Sequence, residues 1–228
     1  MIANNFSALR AAGLVLSVGV ALLAGCARQT VYQPPSTPAQ SAPAQSAGEP
    51  ASAGKGIVVV GAYDAAWQRL LARAQAQKFV VDKTDRRAGR VLLRYSGDPM
   101  PHVDCGNITT RVVRAQGEAS YTFPGAVAQQ RYEINRNGAL FEVDRRMLLD
   151  AQIDVTLKPI DARRTRIAVG TMYRLKREQT VQGRAGKPLQ FADTIGFTTD
   201  ASATFPNAAT RCEATGRLEQ LVLGWAKP

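Results

Sequence analysis

A low-complexity tract divides the chain and limits which part of it can fold. Residues Gln33–Ala53 are rich in Pro, Ala, Ser and Gln, with almost no large apolar side chain. Such a segment cannot bury enough apolar surface to offset the entropy of ordering it. We therefore predict a flexible, partly extended tether over residues 26–55 and a single folded domain over residues 56–228. The roughly 170 residues of this domain suffice for a sizeable core.

The residues before the tether have the three parts of a secretory signal. Arg10 precedes an uncharged apolar run, Ala11–Leu22, and small residues follow it. The run of about 13–15 residues is shorter than the roughly 20 that span a bilayer. Leu23-Ala24-Gly25-Cys26 resembles the lipobox of bacterial lipoproteins. The resemblance implies a signal peptide over residues 1–25, cleavage before Cys26, and diacylglyceryl and palmitate-type acylation of Cys26.

The residue after the acylated cysteine bears on localisation. In Gram-negative lipoproteins an Asp at this position tends to retain the protein in the inner membrane, and here the residue is Ala27. The resemblance therefore implies an anchor in the outer membrane, with the domain facing the periplasm.

The charge of the chain is strongly basic. The formal net charge is +11 and the sequence pI is about 10.1, and only Arg10 of these charges lies in residues 1–25. In a cytosolic protein this balance would indicate nucleic acid. Because export is predicted, we expect no nucleic-acid partner. Anionic lipid, glycan or an acidic protein surface are the expected neighbours, and solubility alone is an equally open explanation.

The cysteine count fits an oxidising compartment. Lipidation of Cys26 leaves Cys105 and Cys212, an even pair. We predict a disulfide between these two, and two unpaired buried thiols are the alternative.

Hydrophobic periodicity predicts two helices. In the first, Asp64 is the expected N-cap, and Trp67, Leu70, Leu71 and Ala74 follow at i, i+3, i+4 and i+7, with an end near Gln77. The second begins after a possible cap at Thr215 and has the same spacing in Leu218, Leu221, Val222 and Trp225.

Most of the remaining domain is predicted to form strands. A strand at Ile57–Val60 precedes the first helix, and Asn137-Gly138 is a strong hairpin signal. Val103–Asp104 is expected in a loop, and Asp144–Arg146 is expected to interrupt the strands. The predicted segments are Phe79–Val81, Arg90–Tyr95, Thr109–Val113, Ala119–Phe123, Ala128–Asn135, Leu140–Val143, Met147–Leu157, Arg166–Leu175 and Leu189–Thr199. We predict an α+β fold, an antiparallel sheet with both helices on one face, or alternatively a β-sandwich with peripheral helices.

Catalytic and metal-binding patterns are weak. His102 is the only histidine, so a zinc site of His and Cys is not expected, and we predict a solvated loop residue. Asp104 is too close in sequence to orient it as a helper. Two carboxylate pairs, Asp82 with Asp85 and Asp150 with Asp154, are explained more simply by ion pairing and edge solvation. We expect no enzyme, no cofactor and no metal.

Basic residues cluster at strand ends and connections, where they would form one rim that contacts an anionic partner. Solvated charges that protect strand edges are the alternative explanation. The candidate contacts are Lys83, Arg86, Arg87, Arg90, Arg163 and Arg164, and the same rim would include Arg145, Arg146, Arg166, Arg174, Lys176 and Arg177.

One segment carries a likeness to a known family. The residues from Trp67 to Tyr95, with FVVDKTDRRAGRV from Phe79 to Val91, are similar to domains of the BamC (NlpB) type of outer-membrane lipoprotein. The likeness covers about 30 residues. It implies a helix-grip-like domain and an accessory role beside the machinery that assembles outer-membrane proteins.

The leading hypothesis is therefore a non-enzymatic envelope lipoprotein that acts as a tethered binding or accessory module, in an envelope protein complex. One alternative is a carrier of a small apolar ligand, with Trp67 and Trp225 lining a cavity between helix and sheet. Another is a binder of anionic glycan or lipid through the basic rim.

Overall fold

The structure, a computed structural model, describes residues 31–35, 56–77, 79–206 and 209–228. This part of the chain contains thirteen strands and two helices. The helices are α1 (Tyr63–Ala76) and α2 (Arg217–Trp225). The strands are β1 (Val31–Gln33), β2 (Gly56–Val60), β3 (Val80–Asp85), β4 (Arg90–Gly97), β5 (Val103–Asp104), β6 (Asn107–Arg114), β7 (Gly117–Pro124), β8 (Gln129–Arg136), β9 (Ala139–Asp161), β10 (Arg164–Gly183), β11 (Leu189–Thr198), β12 (Ser202–Thr204) and β13 (Arg211–Ala214). The prediction of an α+β fold dominated by antiparallel sheet is confirmed.

Two long strands form the spine of the main sheet. β9 has 23 residues and β10 has 20, and they pair antiparallel along almost their whole length. At the end where β9 turns into β10, β4 and β3 add on one side and β2 on the other. At the opposite end, β8 adds to β9 and β11 adds to β10. We call the first the near end and the second the far end.

The period of two along these strands sorts their side chains between the two faces of the sheet. On the spine, Leu149, Ile153 and Tyr173 are buried in one core together with residues of both helices. Their neighbours in sequence, Leu148 and Met172, are about half exposed on the other face. The helices contact each other, and both contact β10. The main core therefore lies between the helices and one face of the sheet.

The helices present their predicted apolar faces. Buried residues of α1 are Ala66, Trp67, Leu70 and Ala74, and those of α2 are Leu218, Glu219, Val222, Leu223 and Trp225. Leu71 is only partly buried, and Leu221 is 39% exposed. The caps differ from the prediction. Ala62, not Asp64, is the N-cap of α1, and the N-cap of α2 is Gly216, one residue after Thr215, whose hydroxyl accepts the Arg217 N–H at 3.3 Å.

Two smaller sheets complete the domain. β1, β6 and β7 form one of them, and β12, β13 and β5 form the other. Ile108 and Phe123 of the first small sheet pack on Tyr132 and Val143 of the main sheet in a second apolar cluster. Sheet therefore packs on sheet in this part of the molecule, and helix packs on sheet nearer the other end.

The cysteine pair is bonded as predicted. Cys105 and Cys212 form a disulfide with a sequence separation of 107 residues. It joins the link between β5 and β6 to β13, just before α2, and both residues lie in the main core. A loop of this size gives about 4–5 kcal/mol in the chain-entropy model, which is an upper figure.

The hairpin and break predictions have mixed outcomes. Asn137 (φ 51°) and Gly138 (φ 77°) form the tight turn between β8 and β9, as predicted. The expected break at Asp144–Arg146 is wrong, because β9 runs through it. The expected loop at Val103–Asp104 is also wrong, because these residues pair with β13. Finally, β1 lies inside the segment that the sequence predicts as tether.

Candidate functional site

The near end brings two basic turns together. The turn between β3 and β4 lies beside the end of β9, where the Leu157 N–H donates to the Gly89 carbonyl at 2.7 Å. Gly89 has a φ of +67°, and a Cβ there would overlap the Leu157 carbonyl oxygen. The chain before α1 joins the same end, because the Gly61 N–H donates to the Arg163 carbonyl at 2.7 Å. Backbone contacts thus fix the β3–β4 turn against β9, and the β9–β10 turn against the chain before α1.

We define the basic end by the six predicted contact residues at this place: Lys83, Arg86, Arg87, Arg90, Arg163 and Arg164. All six are exposed. They come from β3, the β3–β4 turn, the start of β4, the β9–β10 turn and the start of β10. All six belong to the near end, and their contact with an anionic partner stays a prediction.

Half of the basic end is already paired with carboxylates. Arg86 pairs with Asp64 at 2.6 Å, Arg164 pairs with Asp161 at 2.7 Å, and Arg90 pairs with Asp154. Such exposed ion pairs are worth only about 0–1 kcal/mol, so a partner competes for these guanidinium groups at small cost.

The other half of the basic end carries free charge. In the part of the chain that the structure describes, Lys83, Arg87 and Arg163 make no ion pair. The backbone N–H of Arg163 and the side chain of Arg164 hydrogen-bond Asp161, and these contacts hold the pKa of its carboxyl below the usual value. The Asp161 carboxylate is therefore engaged within its own turn, and the Arg163 side chain remains exposed beside it.

The carboxylate pairs considered for catalysis have structural partners. Asp82 accepts from Arg94 at 3.0 Å, and Asp85 accepts the Ala88 N–H at 2.9 Å within the turn. Asp154 pairs with Arg90. Asp150 lines a depression of about 230 Å³ on the exposed face of the sheet with Arg94, Gln152, Met172 and Arg174. Ion pairing therefore accounts for Asp82 and Asp154, and a hydrogen bond within the turn accounts for Asp85.

Two arginines of the predicted rim are buried in the interior instead. Arg145 is only 1% exposed and donates to the Gly125 carbonyl, while its Nη1 has no partner in the described part of the chain. Burial lowers the pKa of Arg145 to about 10. The prediction of one continuous rim is therefore wrong for this residue, which points into the core from the middle of β9.

The second buried arginine is Arg177. Its guanidinium lies 4.4 Å from the centre of the Phe205 ring and donates to Asp193 at 2.6 Å. The side chain is 7% exposed, so it cannot contact an outside partner as predicted. Arg174 and Lys176, its neighbours in sequence, lie exposed on the other face of the sheet.

His102 is not the solvated residue that the sequence predicts. It is 9% exposed, and its ring meets the Tyr95 ring edge to face at 4.9 Å between centroids. Among the described residues, its Nδ1 has no hydrogen-bond partner. Burial lowers the pKa of His102. Asp104, the possible helper, accepts the Gly106 N–H at 2.7 Å and so closes a turn.

The sequence analysis missed a buried carboxylate. Glu219 is 2% exposed, and its Oε1 accepts from Tyr173 Oη at 2.7 Å and Thr199 Oγ1 at 2.9 Å. Burial raises the pKa of Tyr173. A signal was present, because Glu219, Val222, Leu223 and Ala226 share one helical face. The contacts clamp the first turn of α2 to β10 and to the end of β11.

The two tryptophans belong to the core. Trp67 is 4% exposed and Trp225 is 7% exposed. The Trp225 ring meets Phe79 edge to face at 4.8 Å, and the Trp67 ring lies 5.9 Å from that of Tyr63. These indoles occupy the space between helix and sheet in which the carrier hypothesis places a ligand.

The exposed face of the main sheet is the other feature that the sequence did not predict. Across it, apolar side chains alternate with charged ones. The exposed apolar residues are Val58, Val60, Val80, Leu148 and Met172. The register places Arg166 opposite Val58 and Arg94 opposite Val80. This surface adjoins the basic end.

Cys26 lies outside the described residues, so its acylation stays a prediction. Within the described ranges, no helix is long and apolar enough to cross a membrane, and no group of three or more His, Cys, Asp or Glu is placed to hold a metal ion. Comparisons with models of protein families, with curated proteins and with solved structures each gave no match. The likeness to the BamC type therefore remains an expectation from the sequence.

Proposed function

We propose that the chain is a non-enzymatic envelope lipoprotein, anchored in the outer membrane through Cys26, whose domain binds an anionic envelope component through the basic end. The observation that carries this proposal is the convergence of the two basic turns, which leaves Lys83, Arg87 and Arg163 exposed and without ion pairs in the described part of the chain. Phosphate and carboxylate groups are the ligands that such side chains bind.

Rigid support makes this surface suitable for recognition. The Leu157 N–H holds Gly89 of one turn, the Gly61 N–H holds Arg163 of the other, and the Tyr63 hydroxyl donates to the Arg86 carbonyl at 2.7 Å. A partner therefore meets charges whose backbone is already fixed, and less conformational entropy is lost on binding. Side chains on a mobile loop would lack this advantage.

The proposal includes a helix-grip arrangement of the domain. It is supported by the contacts of α1 with β3, β9 and β10, and of α2 with β10 and α1. In this arrangement the helices leave the opposite face of the sheet exposed, and that face extends the surface available to a partner. A link to the assembly of outer-membrane proteins belongs to the same proposal and rests on the likeness of residues 67–95 alone.

The proposal of a binding module rather than an enzyme is supported by the fate of the acid–base candidates. Asp82 and Asp154 form ion pairs with arginines, and His102 is buried against Tyr95. The carrier alternative has no comparable support, because Trp67 and Trp225 pack within the core.

Charge reversal tests the proposal. In the lipidated protein in its native host, Lys83, Arg87 and Arg163 are changed together to Glu, and a matched variant changes Arg136, Arg184 and Lys187 at the far end. Both sets contain one Lys and two Arg, and all six side chains are exposed. We expect chemical crosslinking followed by mass spectrometry to lose its main captured component only in the first variant.

Three outcomes of this experiment are informative. Capture of an envelope protein that disappears in the near-end variant supports an acidic protein partner. Capture of glycan or lipopolysaccharide with the same dependence supports the anionic-surface alternative. Equal capture by both variants, with thermal midpoints like that of the unaltered protein, would contradict a role for the basic end.

A further inference from the structure

The first strand docks on the domain although it lies in the predicted tether. β1 pairs antiparallel with β6, with Val31 opposite Thr109, Tyr32 opposite Ile108 and Gln33 opposite Asn107. Three residues of strand pairing alone provide little stability. Other contacts must therefore hold this segment on the domain.

Tyr32 supplies those contacts. Its hydroxyl donates to the Arg211 carbonyl at 2.8 Å and accepts the Arg211 N–H at 2.9 Å. It therefore satisfies both backbone groups of this β13 residue, as a neighbouring strand would. Its ring packs against the second apolar cluster. One side chain thus connects β1 to both small sheets.

The docking site is shaped for this strand. Gly106 has a φ of +65°, and a Cβ at this position would overlap the carbonyl oxygen of Gln33. The neighbouring Cys105 is bonded to Cys212, which follows Arg211. The disulfide therefore holds together the two segments, one on each side, that receive β1.

Docking of β1 shortens the free chain between Cys26 and the domain. Five peptide steps separate Cys26 from Val31, and 30 separate Cys26 from Gly56. At about 3.6 Å per residue, the first path reaches at most about 18 Å and the second about 108 Å. With β1 docked, only the shorter path joins the predicted lipid to the domain.

We propose that β1 is a strap that holds the lipid anchor against the domain, so that the side formed by β1, β6 and β13 faces the lipid surface at short range. This inference rests on the proposed acylation of Cys26. The basic end is at the other end of β4 from this side, since β4 leads from Arg90 to Gly97 and then to β5. The eight residues of β4 span about 25 Å, so the basic end lies about that far from the side that faces the lipid and is not held against the anchor.

The test uses the lipidated full chain in vesicles of phosphatidylethanolamine and phosphatidylglycerol. Tyr32→Ala removes the ring and both hydrogen bonds, and Tyr32→Phe keeps the ring as a matched control. The separation between domain and bilayer is measured by neutron reflectometry. We expect it to stay within about 20 Å in the unaltered protein and to increase to about 30 Å in Tyr32→Ala, because that is the typical end-to-end distance of a flexible chain of 30 residues. Tyr32→Phe is expected to lie between them.

Hydrogen exchange of β6 and β13 in the same samples tests the docking of β1 independently of the lipid anchor. We expect faster exchange at Asn107–Thr109 and Arg211 in Tyr32→Ala. Equal separation and equal exchange in Tyr32→Ala and the unaltered protein would overturn the strap. If Tyr32→Ala lowers the thermal midpoint of the whole domain, Gly106→Ala provides the second variant, with the same expected change in exchange. Absence of acyl groups on Cys26 by mass spectrometry, with exchange at β6 still dependent on Tyr32, would overturn the anchor and leave docking of β1 in place.

Discussion

His102 is the only histidine in the chain, and its side chain is buried. Burial disfavours the imidazolium form, so the pKa of His102 is lower in the folded protein than the ordinary value of 6.5. The unfolded chain therefore binds more protons between the folded pKa and about 6.5. Stability consequently falls as the pH is lowered through this interval.

Replacement of His102 tests this assignment. We expect the urea concentration at the unfolding midpoint of the unaltered protein to decrease when the pH is lowered from about 7.5 to 5.5, the range that includes the ordinary pKa of a histidine. His102→Phe keeps a ring against Tyr95 but cannot be protonated, so its midpoint should change little over the same range. An equal pH dependence in both proteins would mean that other groups cause it.

Glu219 is the second residue whose role depends on burial. In Glu219→Ala, the buried Tyr173 hydroxyl loses its acceptor, and an unpaired buried group costs about 1–3 kcal/mol. The Thr199 hydroxyl loses the same acceptor but keeps the Thr171 carbonyl at 3.4 Å. We expect a loss of about 2–3 kcal/mol in the free energy of unfolding, measured with urea.

Two further variants control the Glu219 experiment. Glu219→Gln keeps an oxygen acceptor and should lose less than Glu219→Ala. Glu178→Ala removes a half-exposed carboxylate that pairs with Lys176, and should change stability by less than about 1 kcal/mol. If Glu219→Ala and Glu178→Ala have similar effects, the carboxylate is not a clamp.

At the scale of elements, the turns of two hairpins differ in what surrounds their glycines. Gly89 and Gly138 both have a positive φ, so an alanine at either position is strained by about 1–2 kcal/mol. A Cβ at Gly138 would meet nothing within 4 Å, whereas at Gly89 it would overlap the Leu157 carbonyl. Gly89→Ala is therefore expected to cost at least twice as much stability as Gly138→Ala in urea unfolding. Equal losses would show that the β3–β4 turn is not held against β9 at Leu157.

The elements also show which sequence signals are reliable. The faces of α1 and α2 follow from their apolar spacing, because the core dictates which side of a helix is buried. The N-cap position is not predicted correctly from Asp64, because the Asp64 carboxylate pairs with Arg86 in the neighbouring turn. The continuity of β9 through Asp144–Arg146 is hidden for a similar reason. In the sequence, three consecutive charged residues are typical of a connection between strands. In the structure, Asp144 forms an ion pair with Arg131 and Arg145 donates to the Gly125 carbonyl, so these residues fit within a strand.

The candidate site is predictable to the extent that it depends on antiparallel connectivity. The β3–β4 and β9–β10 turns lie at the same end of the sheet because β4 begins beside the last part of β9, so their arginines share that end. Arg177 was assigned to the same rim by its position near basic neighbours, but the alternation along β10 turns it toward Phe205. β1 escaped prediction because three residues have no readable period, and its partner strand is 74 residues away.

At the scale of the whole molecule, the two proposals assign different tasks to different sides of one domain. β1 and the disulfide mark the side that would face the lipid, and the basic end would meet the anionic partner. The exposed face of the main sheet has not been assigned to either task. It carries exposed apolar side chains, including Met172, next to arginines. The central claim is that partner recognition belongs to the basic end.

Site-specific photo-crosslinking in the native host tests that claim most directly. A photoreactive residue replaces Arg87 at the basic end in one protein and Arg184 at the far end in another, both lipidated, and adducts are identified by mass spectrometry. Both side chains are exposed in turns, so the two positions are matched for access. We expect one dominant envelope adduct from position 87 that is absent from position 184. The same adducts in equal yield from both positions, or a dominant adduct from position 184 alone, would contradict the account.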